Sequence, residues 1–127
     1  MLFDCTAAFV TLATIDLENA VSFYTKLWQQ KPQIYRENVY AEFQLSGLRL
    51  GIFQPSKGNE AQFANSLNSK MSLCFEVRDL DGAIAHLTNI GYPPPGKIII
   101  ASHGREIYVY DPDGNRVILH QAEMRSL

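Results

Sequence analysis

The chain has 127 residues, 46% of them hydrophobic, and a formal net charge of −2. That length can bury one substantial core or two small cooperating ones, and the slight acidic balance gives no electrostatic reason to expect nucleic acid. No apolar run approaches bilayer length, and the start, with Asp4 and no early Lys or Arg, lacks a signal-peptide pattern, so a cytoplasmic chain with no membrane partner is expected.

Phe3 to Ile15 read as a first strand, with Val10 and Leu12 on one face and Phe9 and Thr11 on the other. Asp16 can N-cap a helix from Leu17 to Trp28, which stops before Pro32 because proline disfavours helical geometry in the residue ahead of it. Three strands follow, Gln33 to Tyr35, Tyr40 to Leu45 and Leu48 to Phe53, with turns at Glu37-Asn38 and Ser46-Gly47. Pro55 to Lys70 is polar and contains glycine, as a linker does, with one helical turn around Glu60 to Leu67.

A second apolar strand from Ser72 ends at Asp79, which can cap a helix beginning at Leu80 and stopping at Gly91. Pro93-Pro94-Pro95-Gly96 reads as a stiff connection into a strand from Lys97 to Ala101. The last stretch, IYVYDPDGNRVILHQ from Ile107 to Gln121, is a hairpin with five turn formers from Asp111 to Asn115 between β-prone runs. Pro112 sets one φ there, Gly114 can take a positive φ, and the side chains of Asp111, Asp113 and Asn115 can bond nearby backbone N–H groups.

These elements occur twice. Asp79 repeats Asp16 at an offset of 63 residues, and the helices match at Leu17/Leu80, Ala20/Ala83, Val21/Ile84, Tyr24/Leu87 and Leu27/Ile90. Farther on, Gly47-Leu-Arg-Leu aligns with Gly114-Asn-Arg-Val at an offset of 67. Residues 1–54 form a first βαβββ module, 55–70 a linker and 71–127 a second module of one domain. Val10 and Leu12 correspond to Leu73 and Phe75, the more apolar set, which assigns them to the helix side and leaves Phe9, Thr11, Ser72 and Cys74 on the opposite face.

The doubled βαβββ pattern, closed by a hairpin spelled DPDGN, resembles the vicinal oxygen chelate superfamily of glyoxalases, bleomycin-resistance proteins and extradiol dioxygenases over nearly the whole chain. The resemblance implies an α+β fold in which two tandem βαβββ modules form curved mixed sheets around a cavity. It also implies a homodimer in which modules of two chains complete one another's sheets. Metal-dependent members place His, Gln or Glu ligands at positions that here are Phe9, Gly51, Ser72 and Ile118. Three of these offer no side-chain lone pair and a neutral serine hydroxyl alone is a poor ligand, so the usual metal centre is expected to be absent and no cofactor is expected. A slip of one residue in either direction brings in no better ligand: Ala8 or Val10, Leu50 or Ile52, Met71 or Leu73, Val117 or Leu119.

The candidate ligand-binding residues on the cavity face are Phe9, Thr11, Glu42, Ser72, Cys74, Tyr108, Arg116, Ile118 and His120, with Gln44, Glu76 and Tyr110 as further polar groups on the same strands. Among the histidines, His86 lies in the second helix and His103 in a turn before Gly104, whereas His120 shares a strand face with Arg116 and Ile118. Cys5 and Cys74 have no CxxC or histidine spacing and read as reduced thiols. A Cys74/His120 pair permits nucleophilic catalysis in principle, but no third orienting group can be named.

The function these residues suggest is binding of an aromatic or amphipathic small molecule. The alternative is a lyase, isomerase or dioxygenase-type enzyme whose catalytic residues are unassigned, working without metal or with one relocated to His120 and Glu42 or Glu76. A third reading is a structural or regulatory domain whose cavity has closed by packing.

Overall fold

Asp16 and Asp79 open the two helices in the same way. Each has extended backbone, and each carboxylate accepts the N–H three residues on, from Asn19 at 3.2 Å and from Gly82 at 3.0 Å. The structure, a computed structural model, describes residues 6–64, 69 and 71–123. Helix α1 runs Leu17–Trp28 and helix α2 Leu80–Asn89. α1 ends on Gln29 in the left-handed region at φ 53°, and Gly91 takes φ 94° just beyond α2, the conformation for which glycine has no steric penalty.

The strands are β1 Val10–Ala13, β2 Ile34–Arg36, β3 Tyr40–Leu45 and β4 Leu48–Phe53, then β5 Leu73–Glu76, β6 Ile99–Ala101, β7 Gly104–Tyr110 and β8 Arg116–Ala122. They form two mixed sheets of the same topology, in the order β1-β4-β3-β2 and β5-β8-β7-β6. In each, the first strand pairs parallel to the last and the remaining pairs are antiparallel. The chain divides into two compact units, Met1–Asn65 and Ser66–Leu127. A 3-10 turn at Glu60–Phe63 belongs to the first, where Phe63 meets Phe53 edge-on at 5.2 Å.

Two tandem βαβββ units with mixed sheets are thus observed. The sheets themselves are open ribbons, not closed or strongly curled, and their outer strands β2 and β6 have three residues each. The first strand is shorter than its alternation suggests: pairing starts at Val10 opposite Leu50, and residues 6–9 lie outside β1. Alternation marks extended backbone, but a strand also needs a partner at the right register. Cys5 lies outside the described residues.

The helix-side core follows the repeat. In the first unit Leu17, Ala20, Phe23 and Tyr24 of α1 bury against Ala41 and Phe43 of β3 and Leu50 and Ile52 of β4. In the second, Leu80 and Leu87 are buried with Leu73, Ile107, Val109, Val117 and Leu119. Each large side chain taken out of water contributes about 1.5–3 kcal/mol. Trp28 stacks on Tyr24 at 4.8 Å and meets Phe43 edge-on at 5.1 Å, closing the far end of the first core.

One glutamine in each unit, at or just past the end of the last strand, bonds to the start of the helix. Leu17 N donates to Gln54 Oε1 at 3.1 Å, and Leu80 N donates to Gln121 Oε1 at 2.8 Å. Gln54 and Gln121 stand at the repeat offset, so the duplication extends to a second acceptor at each helix start. The DPDGN turn is held by Asp111, whose Oδ1 accepts from the backbone of Asp113 at 2.9 Å and Asn115 at 2.8 Å, while Asn115 Nδ2 donates to Oδ2 at 2.8 Å. Gly114 has φ 83°, as this turn requires.

Candidate functional site

Packing one face of each sheet under a helix leaves the opposite face for chemistry. In the first unit the register puts Thr11, Gly51 and Glu42 in one row across β1, β4 and β3, with Ala13, Phe53 and Tyr40 in the next. Gly51 has no side chain, and the Tyr40 ring crosses over it: a Cβ built there would lie 2.7 Å from Tyr40 Oη. Tyr40 Oη donates to Glu42 Oε1 at 2.7 Å, and Arg49 Nη2 donates to the same oxygen at 3.0 Å. The Arg49 guanidinium lies 4.2 Å above the Phe9 ring.

Glu42 is buried. The hydrogen bond from Tyr40, and then the hydrogen bond and charge of Arg49, hold its carboxyl below the usual carboxylate range against the opposing effect of burial. Burial, followed by the Glu42 hydrogen bond and charge, pushes the Tyr40 phenol up. Arg49 Nε is shielded from solvent and has no acceptor among the described residues.

In the second unit one row across β5, β8 and β7 is Glu76, His120 and Glu106, and the adjacent row is Cys74, Ile118 and Tyr108. His120 Nδ1 lies 2.7 Å from Glu76 Oε1; with that nitrogen donating to the carboxylate, a neutral ring carries its lone pair on Nε2. That nitrogen is buried without a partner among the described residues. The His103 ring stacks on His120 at 4.9 Å, and its Nε2 stands 3.7 Å from Glu106 Oε1. Arg116 Nε donates to Ser72 Oγ at 2.7 Å and Nη2 to Ser69 O at 2.5 Å.

Cys74 is a free, exposed cysteine whose thiol is pushed up by partial desolvation and then by the charges of Glu76 and Glu106. A nucleophilic cysteine needs an electropositive setting, and this one is electronegative. The imidazole of His120 is engaged by Glu76.

The residues proposed from sequence fall into two groups. Phe9, Thr11 and Glu42 lie in the first unit, with Phe9 just ahead of β1, 43% exposed and joined to Glu42 through Arg49. Ser72, Cys74, Tyr108, Arg116, Ile118 and His120 lie in the second, where Ser72 and Arg116 are bonded and Cys74, Ile118 and Tyr108 share a row. Tyr40, Arg49, His103 and Glu106 complete these groups and were not singled out from sequence. Arg49 carried a usable signal, since it is the repeat counterpart of Arg116. Tyr40 and Glu106 carried none, because only strand register places them.

The four positions that the resemblance assigns to metal ligands do not fit an ion here. Gly51 is covered by Tyr40, the Ser72 hydroxyl is taken by Arg116, and Phe9 and Ile118 have no donor atom. Among the described residues no group of three or more His, Cys, Asp or Glu side chains is arranged to hold a metal. No helix of the described residues is long and apolar enough to cross a membrane.

Residues 6–119 match the family model described as Glyoxalase/Bleomycin resistance protein/Dioxygenase superfamily. Solved structures with the same fold include a glyoxalase/bleomycin resistance protein from Catenulispora acidiphila, 21% identical, TM-score 0.66, covering 91% of this chain and 97% of that one. Another is a glyoxalase-related enzyme from Fulvimarina pelagi, 23% identical, TM-score 0.68, covering 92% and 88%. A bleomycin-binding protein in complex with bleomycin is 21% identical, TM-score 0.66, covering 94% and 100%. No curated protein matches.

Proposed function

Because the chain belongs to the glyoxalase/bleomycin resistance protein/dioxygenase superfamily, a small-molecule-binding fold, we propose that it binds an aromatic or amphipathic small molecule on the helix-free faces of its sheets without a metal at the family's ligand positions. In this reading the ligand lies against an open sheet face, and the protein works in the cytoplasm as a homodimer. What supports it is that Gly51 is covered by Tyr40 and the Ser72 hydroxyl is taken by Arg116, while aromatic surface is exposed at Phe9 in the first unit and at Tyr108 and Tyr110 in the second. Such a face can bury apolar ligand surface at about 25 cal/mol per Å², while the polar groups set orientation. A thermal-shift screen of aromatic and amphipathic compounds should yield stabilising hits that Tyr108→Ala weakens; a screen in which nothing stabilises the protein counts against it. Light scattering reads the dimer directly.

One observation favours a second reading, an enzyme of the lyase, isomerase or dioxygenase kind. His120 and Glu76 form the imidazole–carboxylate pair that a general base uses, with Nε2 unpartnered though shielded among the described residues. Metal analysis of protein purified without chelator separates the readings. Near-stoichiometric divalent metal lost in His120→Ala would replace the binding proposal with an enzyme built on a relocated centre.

A further inference from the structure

Resting on the binding reading, we infer that Arg49 anchors the anionic end of the ligand, and that the ligand class is an aromatic carboxylate. The repeat supplies the comparison. Arg49 and Arg116 are counterparts, and so are the residues they reach, Phe9 and Ser72. In the second unit Ser72 Oγ accepts from Arg116 Nε and Ser69 O from Nη2, so two nitrogens of that guanidinium have internal acceptors. In the first unit phenylalanine offers a ring face but no acceptor, and Arg49 Nε is left without one. The exchange of serine for phenylalanine leaves this guanidinium without the internal acceptor that its counterpart has.

The Arg49 guanidinium is also held in place. Stacking on Phe9 fixes the guanidinium plane, Glu42 holds Nη2, and Tyr40 holds Glu42. A fork fixed beforehand loses little freedom when an acceptor arrives, and planar two-point donation suits a carboxylate. The Arg49 side chain is 37% exposed although Nε itself is shielded, so an incoming carboxylate meets the guanidinium at its outer edge. The exposed part of the Phe9 ring and the exposed Thr11 offer an apolar surface and a hydroxyl beside it for the ligand's body. A fixed guanidinium thus lies against Phe9, one of the positions that cannot hold an ion.

The test is a titration of the full chain with sodium benzoate and, separately, benzamide, its neutral isostere, followed by the side-chain Nε–H resonances of arginine. Benzoate should move the Arg49 signal and bind about tenfold more tightly than benzamide, a difference of one charge-assisted contact. Arg49→Met should abolish the preference. Phe9→Ser, which restores an internal acceptor like that of Ser72, should weaken benzoate while the fold, read from the backbone spectrum, is kept. Glu42→Gln removes the competing carboxylate and should tighten benzoate severalfold, which a purely structural Arg49 would not do. Equal binding of the two compounds overturns the carboxylate assignment but leaves small-molecule binding standing. An Arg49 signal unmoved by benzoate overturns the assignment outright and identifies Arg49 as a clamp on Glu42.

Discussion

The phenol of Tyr40 occupies the space above Gly51, so that a Cβ at residue 51 would come within 2.7 Å of its oxygen and 2.9 Å of Cε1. Gly51→Ala therefore forces Tyr40 aside and breaks its bond to Glu42. The expected cost is about 1–3 kcal/mol, the range for overpacking a filled site, measured by urea denaturation. Tyr40→Ala in the same background should recover part of it by emptying the space.

Glu42 gives the first unit a defined acid sensitivity. Its carboxyl is lowered from an ordinary value of 4.5, chiefly by the Tyr40 hydrogen bond. The folded state thus binds this proton less readily than the unfolded chain. The resulting stability is present above pH 4.5 and is lost as pH falls through the lowered folded value. Stability measured downward from pH 5 should decline less steeply in Tyr40→Phe than in the parent protein. An unchanged slope would show that the hydrogen bond does not set the titration.

Cys74 should be a slow nucleophile despite its exposure. Its thiol is pushed above an ordinary value of 9.0 by desolvation and then by Glu76 and Glu106, so little thiolate is present at neutral pH. In a Cys5→Ser background, iodoacetamide at pH 8 should modify it several-fold more slowly than a small free thiol. Glu76→Gln should speed the reaction. Rapid alkylation of the parent would reopen a catalytic role for this cysteine.

The paired glutamine caps should behave alike. Gln54→Ala leaves Leu17 N without its side-chain acceptor, and Gln121→Ala does the same to Leu80 N. Each should cost about 0.5–1.5 kcal/mol in denaturant unfolding. The larger loss is expected at Gln121, whose bond is shorter at 2.8 Å and whose Oε1 also accepts from Arg105 at 3.2 Å.

Local pattern carried much of the fold. Helix α1 begins at Leu17 and ends at Trp28, and β3 and β4 keep their expected bounds, because an Asp cap, apolar spacing and a turn glycine act over a few residues. The final hairpin is longer than Ile107 to Gln121. β7 starts at Gly104, whose φ of 145° and close approach to the Gln121 carbonyl only glycine allows. Face assignment also followed from alternation, since Val10 and Leu12 pair beside buried Leu50 and Ile52 while Thr11 pairs beside Gly51.

The site was legible only in part. His120 could be placed on the helix-free face, but not its bond to Glu76 or its stacking under His103. Each of those depends on which residues stand opposite one another across three strands.

The amino-acid order alone determined the duplication, the capped helices, the DPDGN turn and the poor ion-binding chemistry of Phe9, Gly51, Ser72 and Ile118, because each is a property of residue type and spacing. Tertiary structure decided what surrounds them. Strand register set Tyr40 over Gly51 and placed Arg49 between Phe9 and Glu42, since a contact across a sheet joins residues far apart in the chain through pairing that no local propensity encodes.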